Sequence, residues 1–394
     1  MDDRPAPASQ PVSGPAPPLR LAYLDGIRAL AALYVVLHHM WLTVWPELPE
    51  NAGPLWTDWL LYGQVAVAVF IVVSGFSLAI GPVRSHQQLV GGPRRFIRRR
   101  AWRILPPYWA ALVVSCLVII VFTGVHSGDV VTAKGVAVHA LLLQDVIGSA
   151  TPNGAFWSIA IEWQIYFLFP LLLWVQRGRG TRSMVTLTSV VALAVYLASM
   201  DPTSPVHALQ RLMPQFLILF VLGMAAARVL APGRTRRSPV PLCALAGLGA
   251  LGLVAYTAVF GSRAVVEHYF WVDLVAGACA ALVIAGLAEG RARCLGEWLG
   301  RPVLRALGAF SFSMYLIHLP VIGVVFYGLV QPMDLGATGS FLVLVALGIP
   351  AVLAVSYGFS ALFEKPFVRC RSLAELRGSA RAWRRRAVGR AHPV

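Results

Sequence analysis

Ten apolar runs recur along this chain, and short segments rich in arginine separate them. They fall near 23–45, 59–81, 105–123, 157–176, 184–199, 212–227, 240–260, 266–288, 309–330 and 341–363. Most approach the ~20 residues that an α-helix needs to cross ~30 Å of hydrocarbon. An α-helix is suited to that medium because it satisfies its backbone N–H and C=O groups internally. The expected fold is therefore all-α: a polytopic integral membrane protein of about ten transmembrane helices. Composition agrees. Of 394 residues, 58% are hydrophobic and only 13% charged, where a soluble domain carries about 25% charged residues. Mean hydropathy is +0.70. A water-soluble enzyme is excluded, and ten spans leave room only for short loops. The run 184–199 is short and reads as tilted or partly interfacial. The segment 130–148 is apolar but broken by Lys134, His139, Gln144 and Asp145. It reads as an interfacial or re-entrant helix.

Charge gives an independent test of the threading. The formal net charge of +16 could point to nucleic acid, but the basic residues cluster between apolar runs, as in cytoplasmic membrane loops. The expected partner is thus the lipid bilayer, with no nucleic acid. With the N-terminus cytoplasmic, 29 of the 33 Lys and Arg residues fall on the inside. Lys134, Arg211 and Arg263 fall outside, and Arg28 lies in the first span. Both termini are therefore expected to be cytoplasmic. Trp41, Trp45, Trp56 and Trp59 flank the first outer loop as an interfacial aromatic belt. Residues 1–20 hold six prolines and read as a disordered cytoplasmic tail, not a signal peptide. Residues 21–367 form the transmembrane domain. Residues 368–394 read as a basic cytoplasmic tail, where Arg384, Arg385 and Arg386 would contact anionic lipid. The five cysteines show no metal-ligand spacing, and no metal is expected.

Ionisable groups inside a bilayer are costly, so each needs a reason. Arg28 and His39 lie eleven residues apart in the first run. At about 100° per residue they share one helix face, roughly 16 Å apart along the axis. One reading is a polar stripe serving a conduit or an elongated ligand. The other is a snorkelling Arg28 paired with Asp25, and a packed His39. Glu162 lies among Trp157, Trp163 and Tyr166, with Arg28 or His39 as its natural partner. It reads either as a structural ion pair or as the group that positions a histidine base. Arg84, Arg94, Arg95, Arg98, Arg99, Arg100 and Arg103 form a basic cluster. Cytoplasmic anchoring explains much of it, but Arg also suits bidentate phosphate binding. Tyr315 and His318 share a face, and His318 could instead satisfy carbonyls freed by Pro320. Ser74–Gly75 reads first as a close helix contact.

Six segments, in order, resemble acyltransferase family 3, whose members are integral-membrane enzymes. They are LDGIRALAALYVVLHH, FIVVSGF, RRRAWRILPPYW, WSIAIEWQIY, FSFSMYLIHLP and FEKP, spanning Leu24 to Pro366. The resemblance implies transfer of an acyl group, most often acetyl, from an acyl-coenzyme A to a hydroxyl of a sugar or natural product. It implies His39 as general base or transient acyl carrier, with Arg28 and Glu162 as the other catalytic residues. It places the coenzyme's phosphates on Arg99, Arg100 and Arg103, and a substrate pocket around Ser74, Trp157, Tyr166, Tyr315 and His318. The chain ends about thirty residues past Pro366, so an appended hydrolase-like domain is not expected. Members of this size include macrolide O-acyltransferases of antibiotic biosynthesis and cell-surface polysaccharide O-acetylases. Of the 33 basic residues 31 are Arg, a high-GC signature that favours the macrolide branch and a bacterial cytoplasmic membrane. The rival classes are a transporter or flippase and a membrane scaffold.

Overall fold

A computed structural model describes residues 21–85, 87–124, 130–233, 241–370 and 375. The tail expected over 1–20 lies outside them, as does nearly all of that expected over 368–394. Among the described residues nine helices are long and apolar enough to cross a membrane. The chain is a polytopic, all-helical membrane protein. In chain order the helices are α1 (Ala22–Val44), α2 (Gly63–Arg84), α3 (Gly92–Val118), α4 (Ala133–Ala140), α5 (Trp157–Ser199) and α6 (Gln215–Ala226). They continue as α7 (Leu242–Glu267), α8 (Tyr269–Ala288), α9 (Arg293–Leu299), α10 (Pro302–Gly308), α11 (Ser311–Val325) and α12 (Gly336–Phe359). Short helical turns join several of them, and Ser360–Glu364 and Lys365–Arg369 extend α12.

The expected number of spans was ten, and the difference lies in α5. A straight helix of its 43 residues would run ~64 Å, twice the ~30 Å of hydrocarbon. Gly180 breaks it, with φ 86° and ψ 169°, a conformation open to glycine alone without strain. The limbs before and after it occupy the runs expected at 157–176 and 184–199. Trp157, at the start of the first limb, stacks on Phe216 of α6 with ring centres 5.7 Å apart. Ala192, late in the second limb, packs with Ile218 of α6 and Phe270 of α8. Both ends of α5 thus meet one helix only ~18 Å long, so the second limb returns beside the first.

Helix α2 is central, packed against α1, α6 and α8. Gly75 lets it approach α6: a Cβ there would lie 2.1 Å from the Phe220 carbonyl oxygen. Gly223 of α6 makes the reciprocal approach to the Val72 carbonyl oxygen. Close packing is thus what the small step after Ser74 provides. The fully buried rings of Phe76, Phe169, Phe216 and Phe220 fill the space around this contact. Helix α7 behaves oppositely. Only Ala246 and Val265 are buried, while Leu248, Leu251, Val254 and Val259 are exposed. Such a face suits contact with lipid. A buried polar cluster ties α2, α6 and α8 together. Asp273, fully buried, accepts hydrogen bonds from Gln64 Nε2 and Gln215 Nε2, each at 3.0 Å.

The segment 130–148 forms no span. It folds as the short α4 followed by turns. Tyr108 Oη donates to the His139 carbonyl at 3.0 Å, and Trp109 Nε1 to that of Ala140 at 2.9 Å. Asp145 in the following turn is buried, and desolvation pushes its carboxyl up from 3.8 to about 7. Between those values the folded chain holds a proton that the unfolded chain has released. Stability contributed by this site is therefore present at low pH and falls as pH rises toward 7. Asp145→Asn is expected to unfold at a higher temperature than the wild type at pH 8 in detergent. The gap should narrow toward pH 4.5; a pH-independent gap would contradict this.

Candidate active site

One cavity of about 410 Å³ opens among α1, α2, α3, α5 and α11. Its wall gathers cations from two helices. Arg28 of α1 donates to Asp25 Oδ1 at 3.2 Å, as its i−3 spacing allows, and to Ser77 Oγ of α2 at 2.7 Å. Arg100 and Arg103 of α3 line the same cavity. Arg100 lies over the ring of Phe96, 5.7 Å from its centre, and its Nε is buried without a hydrogen-bond partner. Arg99 is exposed and off the wall, because it sits ~100° around the helix from Arg100. The expected coenzyme-binding trio is thus brought to the cavity as a pair.

Three carboxylates, Asp25, Glu162 and Glu364, line the cavity too. Tyr166, one turn after Glu162 on α5, donates to Glu162 Oε1. Ser74 Oγ lies 3.2 Å from the same tyrosine hydroxyl. The bonded partner of Glu162 is therefore Tyr166, not the Arg28 or His39 expected, since the i+4 position on its own helix reaches it first. Glu364 is buried and accepts from Ser313 Oγ at 2.5 Å and Ser360 Oγ at 3.0 Å. In the sequence Glu364 figures only within the FEKP segment and has no place in the expected site; the signal was a carboxylate at the end of an apolar run. Ser77 was missed as well, although it lies three residues from Ser74. Ser158 Oγ and Tyr315 Oη, 2.7 Å apart, join α5 to α11. Trp157 stacks on Phe216 and does not reach the wall.

His39 and His318 form a separate pair that is absent from the wall. His39 Nδ1 lies 3.2 Å from His318 Nε2 and 2.9 Å from the Val35 carbonyl oxygen. His318 Nδ1 lies 2.8 Å from the Tyr315 carbonyl oxygen and 3.2 Å from that of Met314. Carbonyls only accept, so the neutral His318 ring carries its proton on Nδ1 and offers a lone pair at Nε2. His39 Nδ1 then faces two acceptors and must be the donor. The lone pair of His39 is left on Nε2, on a ring that is only half-buried. The carbonyl freed by Pro320 is that of Leu316. It accepts from Asn153 Nδ2 at 3.2 Å, so His318 is not spent on it. His38 faces elsewhere: its Nδ1 contacts the Leu60 carbonyl at 2.6 Å, and its ring fills the space a Cβ on Gly63 would need. Tyr315 connects the two sites. Its hydroxyl bonds to Ser158, and its ring centre lies 5.7 Å from that of His318.

A family model described as an acyltransferase domain matches residues 21–361. Acyltransferase MdmB of Streptomyces mycarofaciens is 28% identical over 325 residues, covering 77% of this chain and 79% of that protein. Nodulation protein 10 of Rhizobium leguminosarum bv. viciae is 25% identical over 189 residues, 44% of this chain and 49% of that one. Peptidoglycan O-acetyltransferase OatA of Listeria monocytogenes is 24% identical over 329 residues, 76% and 49% respectively. The chain thus spans most of the first relative and about half the length of the other two. No solved structure matches.

The Glu364 contacts carry a direct test. Glu364→Leu leaves two buried serine hydroxyls without their acceptor, at a cost of about 1–3 kcal/mol each. A lower unfolding temperature in detergent is expected, with Glu364→Gln close to wild type. Equal stability of all three would contradict the contact.

Proposed function

The chain belongs to acyltransferase family 3, and from that premise we propose that it moves an acyl group from acyl-coenzyme A to a hydroxyl of a macrolide or related natural product. One observation carries the reading. A cavity holding Arg28, Arg100 and Arg103 lies beside a histidine pair whose His39 presents a free Nε2 lone pair. Family membership decides for an enzyme over the transporter and scaffold classes.

The donor's phosphates would rest on Arg100 and Arg103, with Arg99 at the rim, since guanidinium groups match phosphate oxygens in pairs. The pantetheine arm would extend into the cavity past Ser74 and Tyr166. His39 Nε2 takes the proton of the acceptor hydroxyl while that oxygen bonds to the acyl carbonyl carbon. The carbon–sulfur bond then breaks, and the departing thiolate of coenzyme A recovers the proton from His39. His318 Nε2 accepts from His39 Nδ1–H throughout, so it orients the base and steadies its cationic form. Arg28 is placed to meet negative charge on the donor, at the carbonyl oxygen or a phosphate. Glu162 acts through Tyr166, holding the hydroxyl pair that lines the donor's path.

Basic loops at the ends of α2 and α3 support a cytoplasmic mouth for this cavity, with both termini on that side of a bacterial cytoplasmic membrane. That is where acyl-coenzyme A is made available. Acetyl is the first donor to test. The high-GC signature of 31 Arg among 33 basic residues supports a natural-product acceptor over a glycan, and the alignment with the Streptomyces acyltransferase covers 79% of that protein. The peptidoglycan O-acetyltransferase keeps a cell-surface polysaccharide as the second acceptor.

Purified protein in detergent, given labelled acetyl-, propionyl- and isovaleryl-coenzyme A with a macrolide and a surface glycan, tests the reading. His39→Ala is expected to lose at least ~100-fold in turnover while retaining coenzyme A binding. His318→Ala should lower kcat with little change in KM. Normal turnover by a folded His39→Ala variant would overturn the assignment. So would wild-type protein that neither transfers acyl groups nor binds coenzyme A.

A further inference from the structure

The donor cavity is chemically graded along α2. Ser77 sits at the level of the Arg28 guanidinium, and Ser74 at that of Tyr166. Toward the start of α2, all three of its wall residues are apolar: Ile71, Phe70 and Val67. The seven residues from Ser77 to Phe70 span ~10 Å of rise. A ligand anchored by its phosphates at the cationic end would therefore lay its least polar part against Phe70.

Phe70 also marks a boundary. Its ring meets Tyr315 edge to face, with centres 5.9 Å apart and planes at 76°. Phe70 packs against two distinct hydrophobic clusters, one around the cavity and one around the far half of α1. Both Phe70 and Tyr315 line the cavity, whereas His318, 5.7 Å beyond Tyr315, and His39, 4.8 Å beyond His318, do not. The ring contacts that lead from the cavity to His39 start at this aromatic pair, and so would the passage of an acyl group. Tyr315 is tied to Ser158 at 2.7 Å, whereas no hydrogen bond can hold a phenyl ring. Phe70 is thus the adjustable side of the passage.

We propose that Phe70 is a size filter for the acyl group, setting which acyl chains pass from the donor cavity to His39. The inference rests on the donor and base assignments made above. Its chemistry is steric: an acetyl group has no branch to carry past the ring, whereas an isovaleryl group must displace it. The filter acts on delivery, not on anchoring of the coenzyme, so its effect belongs in kcat more than in KM.

The test compares kcat/KM for acetyl- and isovaleryl-coenzyme A in detergent-purified wild type, Phe70→Leu and Phe70→Ala, with one macrolide acceptor. Phe70→Ala is expected to raise the isovaleryl-to-acetyl ratio by roughly tenfold or more, the range that a few methylenes command in a fitted pocket. Phe70→Leu, which keeps most of the packing volume, should move the ratio in the same direction by less. If Phe70→Ala does not fold, Phe70→Leu carries the test. An unchanged ratio in a folded variant, with active wild type, would overturn the filter alone. Absence of transfer by the wild type with every donor would instead overturn the reading of the site on which the filter rests.

Discussion

A guanidinium or carboxylate has no place in hydrocarbon unless other polar groups or water receive it. That constraint shapes the inside of this protein. Arg28, Arg100, Asp25, Glu162 and Glu364 come from helices far apart in sequence, yet all face one cavity. Serine and tyrosine hydroxyls fill the gaps between them: Ser77 on Arg28, Tyr166 on Glu162, Ser313 and Ser360 on Glu364. Each contact joins residues that the bilayer would otherwise penalise. The glycine approach between α2 and α6 supports this arrangement, because it fixes where the serine-bearing face of α2 points.

The histidine pair answers a different demand. An imidazole used as a base needs one nitrogen committed and the other free. Helix α11 supplies the commitment through its own carbonyls, which fix the tautomer of His318, and His318 in turn fixes that of His39. Among the described residues no carboxylate takes part. The His39 ring is thereby oriented without a negative charge beside it, in a region where such a charge would itself need a partner.

Much of the fold was legible because hydropathy reports directly on the medium. The apolar runs and their basic boundaries were visible, and so were Arg28, Glu162 and Tyr315 as polar residues that required a reason. Pairings were not legible. Nothing in the order of residues says that His39 meets His318 rather than Glu162, since that depends on which face α11 turns to α1. Arg99 looked equivalent to Arg100 within the basic cluster, and only the rotation of α3 separates them. Glu364 showed only as part of the FEKP segment, because one of its two serine donors, Ser313, lies 51 residues away. The hairpin within α5 was visible as two runs, but the single glycine that joins them was not.

That glycine bears on how the chain enters its membrane. With Gly180 alone as the turn, the limbs on either side share no loop in which one could wait while the other inserts. So tight a join, with Arg177, Arg179 and Arg182 at the bend, suits entry into lipid as a helical pair. A longer linker at residue 180 would uncouple the limbs during insertion, even if the finished packing could absorb it.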